Sequence, residues 1–128
     1  LFLSLGASFL ASTVSNKVRD LVSLIVQGME HPGFAVVNVQ SPCTTYNDTY
    51  EELKGNPTKG IQGTAWDLPD DHEVHSREAA LQAVRAGGIP LGLLYQDPNS
   101  IPFEQRIAKM NEKNVPKSAA ELIESFSL

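Results

Sequence analysis

The sequence FAVVNVQSPC, residues 34–43, joins a short apolar run to a proline and the only cysteine of the chain. β-Branched residues crowd Phe34 to Val39, which predicts a buried β-strand. Pro42 has no backbone N–H to donate to a neighbouring strand, so we expect strand pairing to stop there. Cys43 then follows the carboxyl end of the strand, and open α/β sheets bind their ligands at that edge. The sequence therefore singles out Cys43 as the first candidate for function.

The residues before this strand predict a parallel crossover. Ser8 to Ser12 is a short strand candidate, and Ser15 or Asn16 can cap a helix that runs to about Glu30. Strand, helix and strand then follow with the connection lengths that a right-handed parallel crossover requires. The apolar residues that recur at helical spacing predict one buried helix face; they are Val18, Leu21, Val22, Ile25 and Met29.

The residues after Cys43 predict one further strand and a helical tail. Residues 44–75 show no sustained period, so we expect a long irregular excursion there, apart from one helical turn at residues 50–54. Ser76 can cap a helix over residues 77–85, and residues 89–95 form a third strand candidate. The tail, residues 96–128, contains a helix over 103–112 and a second helix that begins with a capping box at Ser118. The predicted fold is a three-layer α/β domain, residues 1–95, with a mainly parallel sheet and flanking helices.

Composition and charge exclude several kinds of partner. The formal net charge is −5 and no basic run is present, which argues against nucleic acid and anionic membranes as partners. A single cysteine cannot form an internal disulfide, so a reducing compartment and a cytoplasmic location are expected. The apolar start, residues 1–12, lacks the basic region of a signal peptide and is too short to span a bilayer. Because the chain opens without Met, we expect it to be a piece of a longer protein.

Three histidines and the single cysteine are the candidates for chemistry. Cys43 is either a buried structural thiol, a nucleophile that needs a histidine base nearby, or one ligand of a site whose other ligands lie elsewhere. His72 and His75 are three residues apart, so a helical turn would bring them together as weak candidates for a metal site. The alternative is a solvated acidic loop that leads into a helix. No complete catalytic constellation is visible.

The chain resembles the C-terminal part of the β subunit of 2-oxoacid:ferredoxin oxidoreductases, the family that includes the pyruvate and 2-oxoglutarate enzymes. The Ser-Pro-Cys-x-Thr-Tyr-Asn run after a strand is the most specific element of the resemblance. The matching segments extend to about Tyr95, and they are LGASFLA at residues 5–11, EHPGFAVVNV at 30–39, SPCTTYNDTYE at 41–51, residues 75–80 and IPLG at 89–92.

This resemblance implies an α/β module that binds thiamine diphosphate and Mg²⁺, and a partnership with an α subunit. It implies the oxidative decarboxylation of a 2-oxoacid to the acyl-CoA, with electrons passed through iron–sulfur centres to ferredoxin. By the same resemblance, Cys43 is one ligand of a [4Fe–4S] cluster in the full-length protein, with Thr44 and Asn47 as further cofactor-binding candidates. The Gly-Asp-Gly element for Mg²⁺ and the diphosphate, and the other three cluster cysteines, are expected upstream of Leu1.

Two consequences follow for the chain as given. It is expected to bind none of these cofactors completely and to be inactive alone, because it lacks the loop that a magnesium diphosphate needs. It is also expected to self-associate, because half of a module exposes apolar surface. The competing hypothesis is a small non-enzymatic α/β module for binding or assembly.

Overall fold

A four-stranded mixed sheet forms the centre of the structure, a computed structural model that describes residues 1–112 and 117–126. The strand order is β2-β1-β6-β5, and the strands are β1 Phe9–Val14, β2 Ala35–Gln40, β5 Ala65–Asp67 and β6 Ile89–Gln96. The β1–β2 and β5–β6 pairs are parallel, whereas β1 and β6 are antiparallel. The predicted α/β class with a mainly parallel sheet is confirmed.

Helices cover both faces of this sheet. Helix α1, Val18–Glu30, covers one face through a cluster of Phe9, Ala11 and Leu24. Helix α3, Arg77–Arg85, covers the other face, where the buried residues are Leu3, Leu10, Ala80 and Leu94. Alternate residues of β1 therefore supply the two sides of the core, as the two-residue side-chain period of a strand requires.

Helix α1 begins and packs differently from the prediction. Its N-cap residue is Lys17, which makes no capping side-chain hydrogen bond, so the predicted cap at Ser15 or Asn16 is wrong. The predicted apolar face is also wrong, because its residues are mostly exposed and Leu24 is the buried residue of the helix. Gly28 lies on the side of the helix that faces the sheet, because a Cβ atom built there would be in ordinary contact with Phe9 and Val37, at 3.4 and 3.5 Å.

Strand β2 lies at the edge of the sheet, so the prediction of a buried strand is wrong in this structure. One of its sides pairs with β1 in register from Phe9 opposite Ala35 to Val14 opposite Gln40. Its side chains are half-buried, and that of Asn38 is exposed. The carbonyls of Phe34 and Gln40 accept hydrogen bonds from the β1 side. Backbone groups of successive residues point to opposite sides of a strand, so those of Ala35, Val37 and Val39 face the open edge.

Residues 44–75 contain short regular elements, so the predicted irregular excursion is wrong. Helix α2, Tyr50–Lys54, matches the predicted turn, and a two-stranded ribbon of β3, Gly55–Asn56, and β4, Ile61–Gln62, follows it. Strand β5 then joins the main sheet. Trp66 fastens this strand to the end of α3, because its Nε1–H donates a hydrogen bond of 2.9 Å to the carbonyl of Gly87. Elements this short carry too few residues to show a period.

The later helices agree with their sequence signals. Ser76 caps α3 by accepting a hydrogen bond from the N–H of Ala79. Helix α4 spans Phe103–Glu112. Helix α5, Ala119–Glu124, begins with the predicted capping box, in which the side chains of Ser118 and Glu121 each accept a hydrogen bond from the other residue's backbone N–H. Within the described part of the chain, no helix is both long and apolar enough to cross a membrane.

Candidate functional site

Cys43 lies in a tight turn just past the carboxyl end of β2. After Pro42 the chain reverses, and two backbone hydrogen bonds between Cys43 and Asn47, of 3.1 and 2.9 Å, close the turn. The thiol is exposed, so the interpretation of Cys43 as a buried structural thiol is wrong. Its position at the carboxyl end of a parallel strand is the one that the sequence predicted.

The backbone of this turn stabilises a thiolate. The N–H groups of Tyr46 and Thr45 act on Cys43 most strongly, that of Asn47 acts less, and together they lower the pKa of the thiol below its ordinary value of 9.0. The carboxylate of Asp48 acts in the opposite direction. Hydrogen bonds from backbone N–H groups favour the charged form, which is the form that binds metal. The sequence predicted the position of Cys43, but not this set of donors, because it depends on the closed turn.

Asp48 and the start of α2 hold the turn in place. The Oδ1 atom of Asp48 accepts a hydrogen bond of 3.1 Å from the N–H of Tyr50, the first residue of α2. The hydroxyls of Tyr50 and Ser15 lie 3.4 Å apart, which links α2 to the residues that follow β1. The side chains of Thr44 and Asn47, the other two predicted cofactor-binding residues, are exposed on the same turn.

All three histidines lie at the far end of the sheet from Cys43. His31 precedes β2 and Cys43 follows it, so a six-residue strand of roughly 20 Å separates them. His72 and His75 bond the carbonyls of Leu94 and Gln96, at the carboxyl end of the antiparallel β6. No histidine is therefore placed to act as a base for Cys43, and a nucleophilic role has no support in this geometry.

The helical turn on which the weak metal hypothesis depended is absent. Residues 72–75 precede α3 and are not helical. Because a carbonyl oxygen can only accept, His72 Nε2 and His75 Nδ1 carry the hydrogens in their bonds of 2.9 and 2.8 Å. Among residues 1–112 and 117–126, no group of three or more His, Cys, Asp or Glu residues could hold a metal ion.

His31 belongs to a polar cluster that the sequence did not predict. His31 and Ser8 are buried, and their Nε2 and Oγ atoms lie 2.9 Å apart. The Ser8 hydroxyl donates to the carbonyl of Phe34, so His31 Nε2 must be the donor to Ser8. Burial lowers the pKa of His31 below 6.5, and the carboxylate of Asp97 opposes this shift. The cluster joins the start of both parallel strands.

Comparison with known proteins extends the resemblance. Residues 43–112, more than half of the chain, match the family model for the C-terminal part of the pyruvate ferredoxin oxidoreductase beta subunit. The 2-oxoacid:ferredoxin oxidoreductase subunit beta of Saccharolobus solfataricus is 29% identical over 98% of the chain, and subunit beta of enzyme 1 of Aeropyrum pernix is 32% identical over 83%. The chain spans 44% and 36% of the lengths of these relatives.

A solved structure supports the fold. The chain resembles a chain of the 2-oxoglutarate:ferredoxin oxidoreductase from Magnetococcus marinus, determined with 2-oxoglutarate, coenzyme A and succinyl-CoA bound. The TM-score is 0.69 and the sequence identity is 29%, over 98% of this chain and 43% of the other. The α/β sheet described above is therefore an architecture that this oxidoreductase shares.

Proposed function

The chain belongs to the β-subunit family of the 2-oxoacid:ferredoxin oxidoreductases, and from this we propose that it forms the C-terminal part of such a subunit. In the complete enzyme an α subunit is the partner, a 2-oxoacid such as 2-oxoglutarate or pyruvate loses CO₂, its acyl group passes to CoA, and ferredoxin takes up the two electrons. The location that suits this reaction is the cytoplasm, where thiols stay reduced.

The observation that carries the proposal is the Cys43 turn. Iron–sulfur clusters are bound by thiolates, and hydrogen bonds to the sulfur adjust their reduction potential. Cys43 is exposed, its thiol has a lowered pKa, and backbone N–H groups stand around its sulfur. This donor set fits one ligand of a [4Fe–4S] cluster, which supplies one-electron transfer when it is bound.

Within the described part of the chain we assign no residues to the other cofactors of the reaction. Mg²⁺ and thiamine diphosphate need oxygen ligands and a phosphate-binding loop, and the described residues contain no group of acidic or histidine side chains of that kind. We therefore assign Cys43 the binding of one cluster iron and the backbone of Asn47 the closing of the turn around its sulfur, while cofactor binding by Thr44 stays a prediction. A purified chain of 128 residues is expected to bind thiamine diphosphate no better than an unrelated protein.

The test is a chimera in which this chain replaces the matching segment of the Magnetococcus marinus enzyme. We expect ferredoxin reduction that depends on both the 2-oxoacid and CoA, with the electron paramagnetic resonance signal of a reduced cluster. Cys43→Ser is expected to lose cluster iron and ferredoxin reduction, while Ser41→Ala, two residues away, keeps both. Gel filtration checks that each variant still assembles with its partner.

The competing function is a non-enzymatic module for binding or assembly. Family membership and the exposed Cys43 thiol with its lowered pKa favour the enzyme, because an assembly module has no need of such a thiol. A chimera that assembles correctly but reduces no ferredoxin would favour the assembly module. Full cluster content in Cys43→Ser would remove the role proposed for that residue.

A further inference from the structure

A cavity of about 280 Å³ lies between α2 and the end of the sheet at which β1 finishes. Its floor is apolar and consists of Val14, Leu53 and Leu91, which form one buried cluster of the core. An apolar floor with a few polar groups at the rim is the usual construction of a small-molecule site.

The rim of this cavity carries an excess of positive charge. Lys17, Lys54 and Asp67 line it, together with the polar side chains of Asn16 and Tyr50. The ammonium group of Lys17 reaches across β6 and pairs with the carboxylate of Asp67, which neutralises both. The ammonium group of Lys54 makes no ion pair or hydrogen bond to any described residue, so the charged groups that line the cavity sum to +1.

A neighbouring cavity of about 220 Å³ lacks the positive charge of the first cavity. It shares Lys17, Asp67 and Leu91 with the first cavity, but Asp20 replaces Lys54 in its lining, so its charged groups sum to −1. The charged lining residues therefore favour the binding of an anion in the first cavity and disfavour it in the second. The start of α1 lies beside the first cavity as well, and its N-cap residue offers no side-chain acceptor to the first backbone N–H groups.

We propose that the first cavity is a binding site for a small aliphatic monocarboxylate, with the carboxylate at Lys54 and Asn16 and the alkyl chain on Val14, Leu53 and Leu91. One uncompensated lysine matches one negative charge, and the apolar floor matches the chain. A charge-assisted hydrogen bond at a partly exposed rim supplies orientation and part of the affinity. The site requires no iron, thiamine diphosphate or partner subunit, so it stands or fails independently of the proposed function.

The test uses the intact 128-residue chain and three probes, followed by two-dimensional NMR and calorimetry. Hexanoate is expected to bind and to shift the amide signals of residues 14–17, 50–54 and 91. Hexylamine has the same number of carbons with the opposite charge, and inorganic phosphate has negative charge without an alkyl chain, so both are expected to bind at least about tenfold more weakly. Equal binding of the three probes, or hexanoate shifts elsewhere, overturns the proposal.

Variants of the rim locate the carboxylate. Lys54→Ala is expected to weaken hexanoate binding about tenfold, and Lys54→Arg to preserve it within a few-fold. Lys59→Ala is the matched control, because Lys59 is a lysine of the same region that lies outside the cavity and pairs with Glu51. Unchanged hexanoate affinity in Lys54→Ala, with its amide spectrum and thermal melt intact, refutes the assignment of the carboxylate to Lys54.

Discussion

A methyl group at Gly33 should disrupt the polar cluster of His31 and Ser8. A Cβ atom at this position would lie 2.1 Å from the Oγ atom of Ser100, 2.3 Å from that of Ser8 and 3.1 Å from Nε2 of His31. Such an overlap with buried groups costs about 1–3 kcal/mol of stability. Displacing Ser8 also breaks its hydrogen bond with His31, which contributes about 1 kcal/mol. Gly33→Ala should therefore lower the free energy of unfolding by about 2–4 kcal/mol.

Thermal unfolding followed by circular dichroism measures this effect. For a chain of this length, 1 kcal/mol corresponds to roughly 4 °C, so the Tm should fall by about 8–16 °C. Gly28→Ala is the matched control, since its new Cβ atom meets Phe9 and Val37 at ordinary contact distances of 3.4 and 3.5 Å. That variant should be neutral or more stable, because alanine favours the helix by about 1 kcal/mol.

Adding Ser100→Ala to Gly33→Ala tests whether the loss of stability comes from the overlap of the new Cβ atom with Ser100. It removes the nearest overlapping atom, a buried hydroxyl without a hydrogen-bond partner among the described residues, so in the Gly33→Ala background it should restore at least about 1 kcal/mol. Additive effects of Gly33→Ala and Ser100→Ala, or a Tm of Gly33→Ala within about 3 °C of the parent, would refute this reasoning.

Three further predictions concern the thiol, the buried histidine and the open sheet edge. The rate of maleimide modification of Cys43 should rise with pH around a midpoint below that of the same thiol in the unfolded chain, and Asp48→Asn should lower that midpoint further; equal midpoints in the folded and unfolded chains contradict the lowered pKa of Cys43. Because burial lowers the pKa of His31 below 6.5, the unfolded chain binds the additional proton, so the Tm should decline as pH falls below about 6.5, and less so in His31→Gln. Val39→Lys, at the open edge of β2, should reduce self-association in sedimentation; a parent that stays monomeric over a wide concentration range rules out association through this edge.

The sequence predicted those elements whose signals are local. The Ser76 cap, the capping box at Ser118 and the bounds of α4 depend on neighbouring residues, and each has the predicted form. The position of Cys43 was also predictable, because proline ends strand pairing. The donors around its sulfur and the cluster of His31 were not, since both bring together backbone or side-chain groups whose distances only the folded chain determines.

The two main errors of prediction have one physical cause. Strand β2 has the composition of a buried strand but lies at an edge, without the lysine, proline or bulge with which native proteins usually protect edges. Helix α1 packs on the sheet through Leu24 and Gly28, and its more regular apolar face is open, with 56% of Val22 and 81% of Met29 exposed. Hydrophobic periodicity indicates which side chains are buried in the complete, assembled protein. This chain covers only 43% of its structural relative, so surfaces that are open here can be covered there. We therefore infer that both surfaces are covered in the assembled subunit, which accounts for their apolar composition although both are open in this structure.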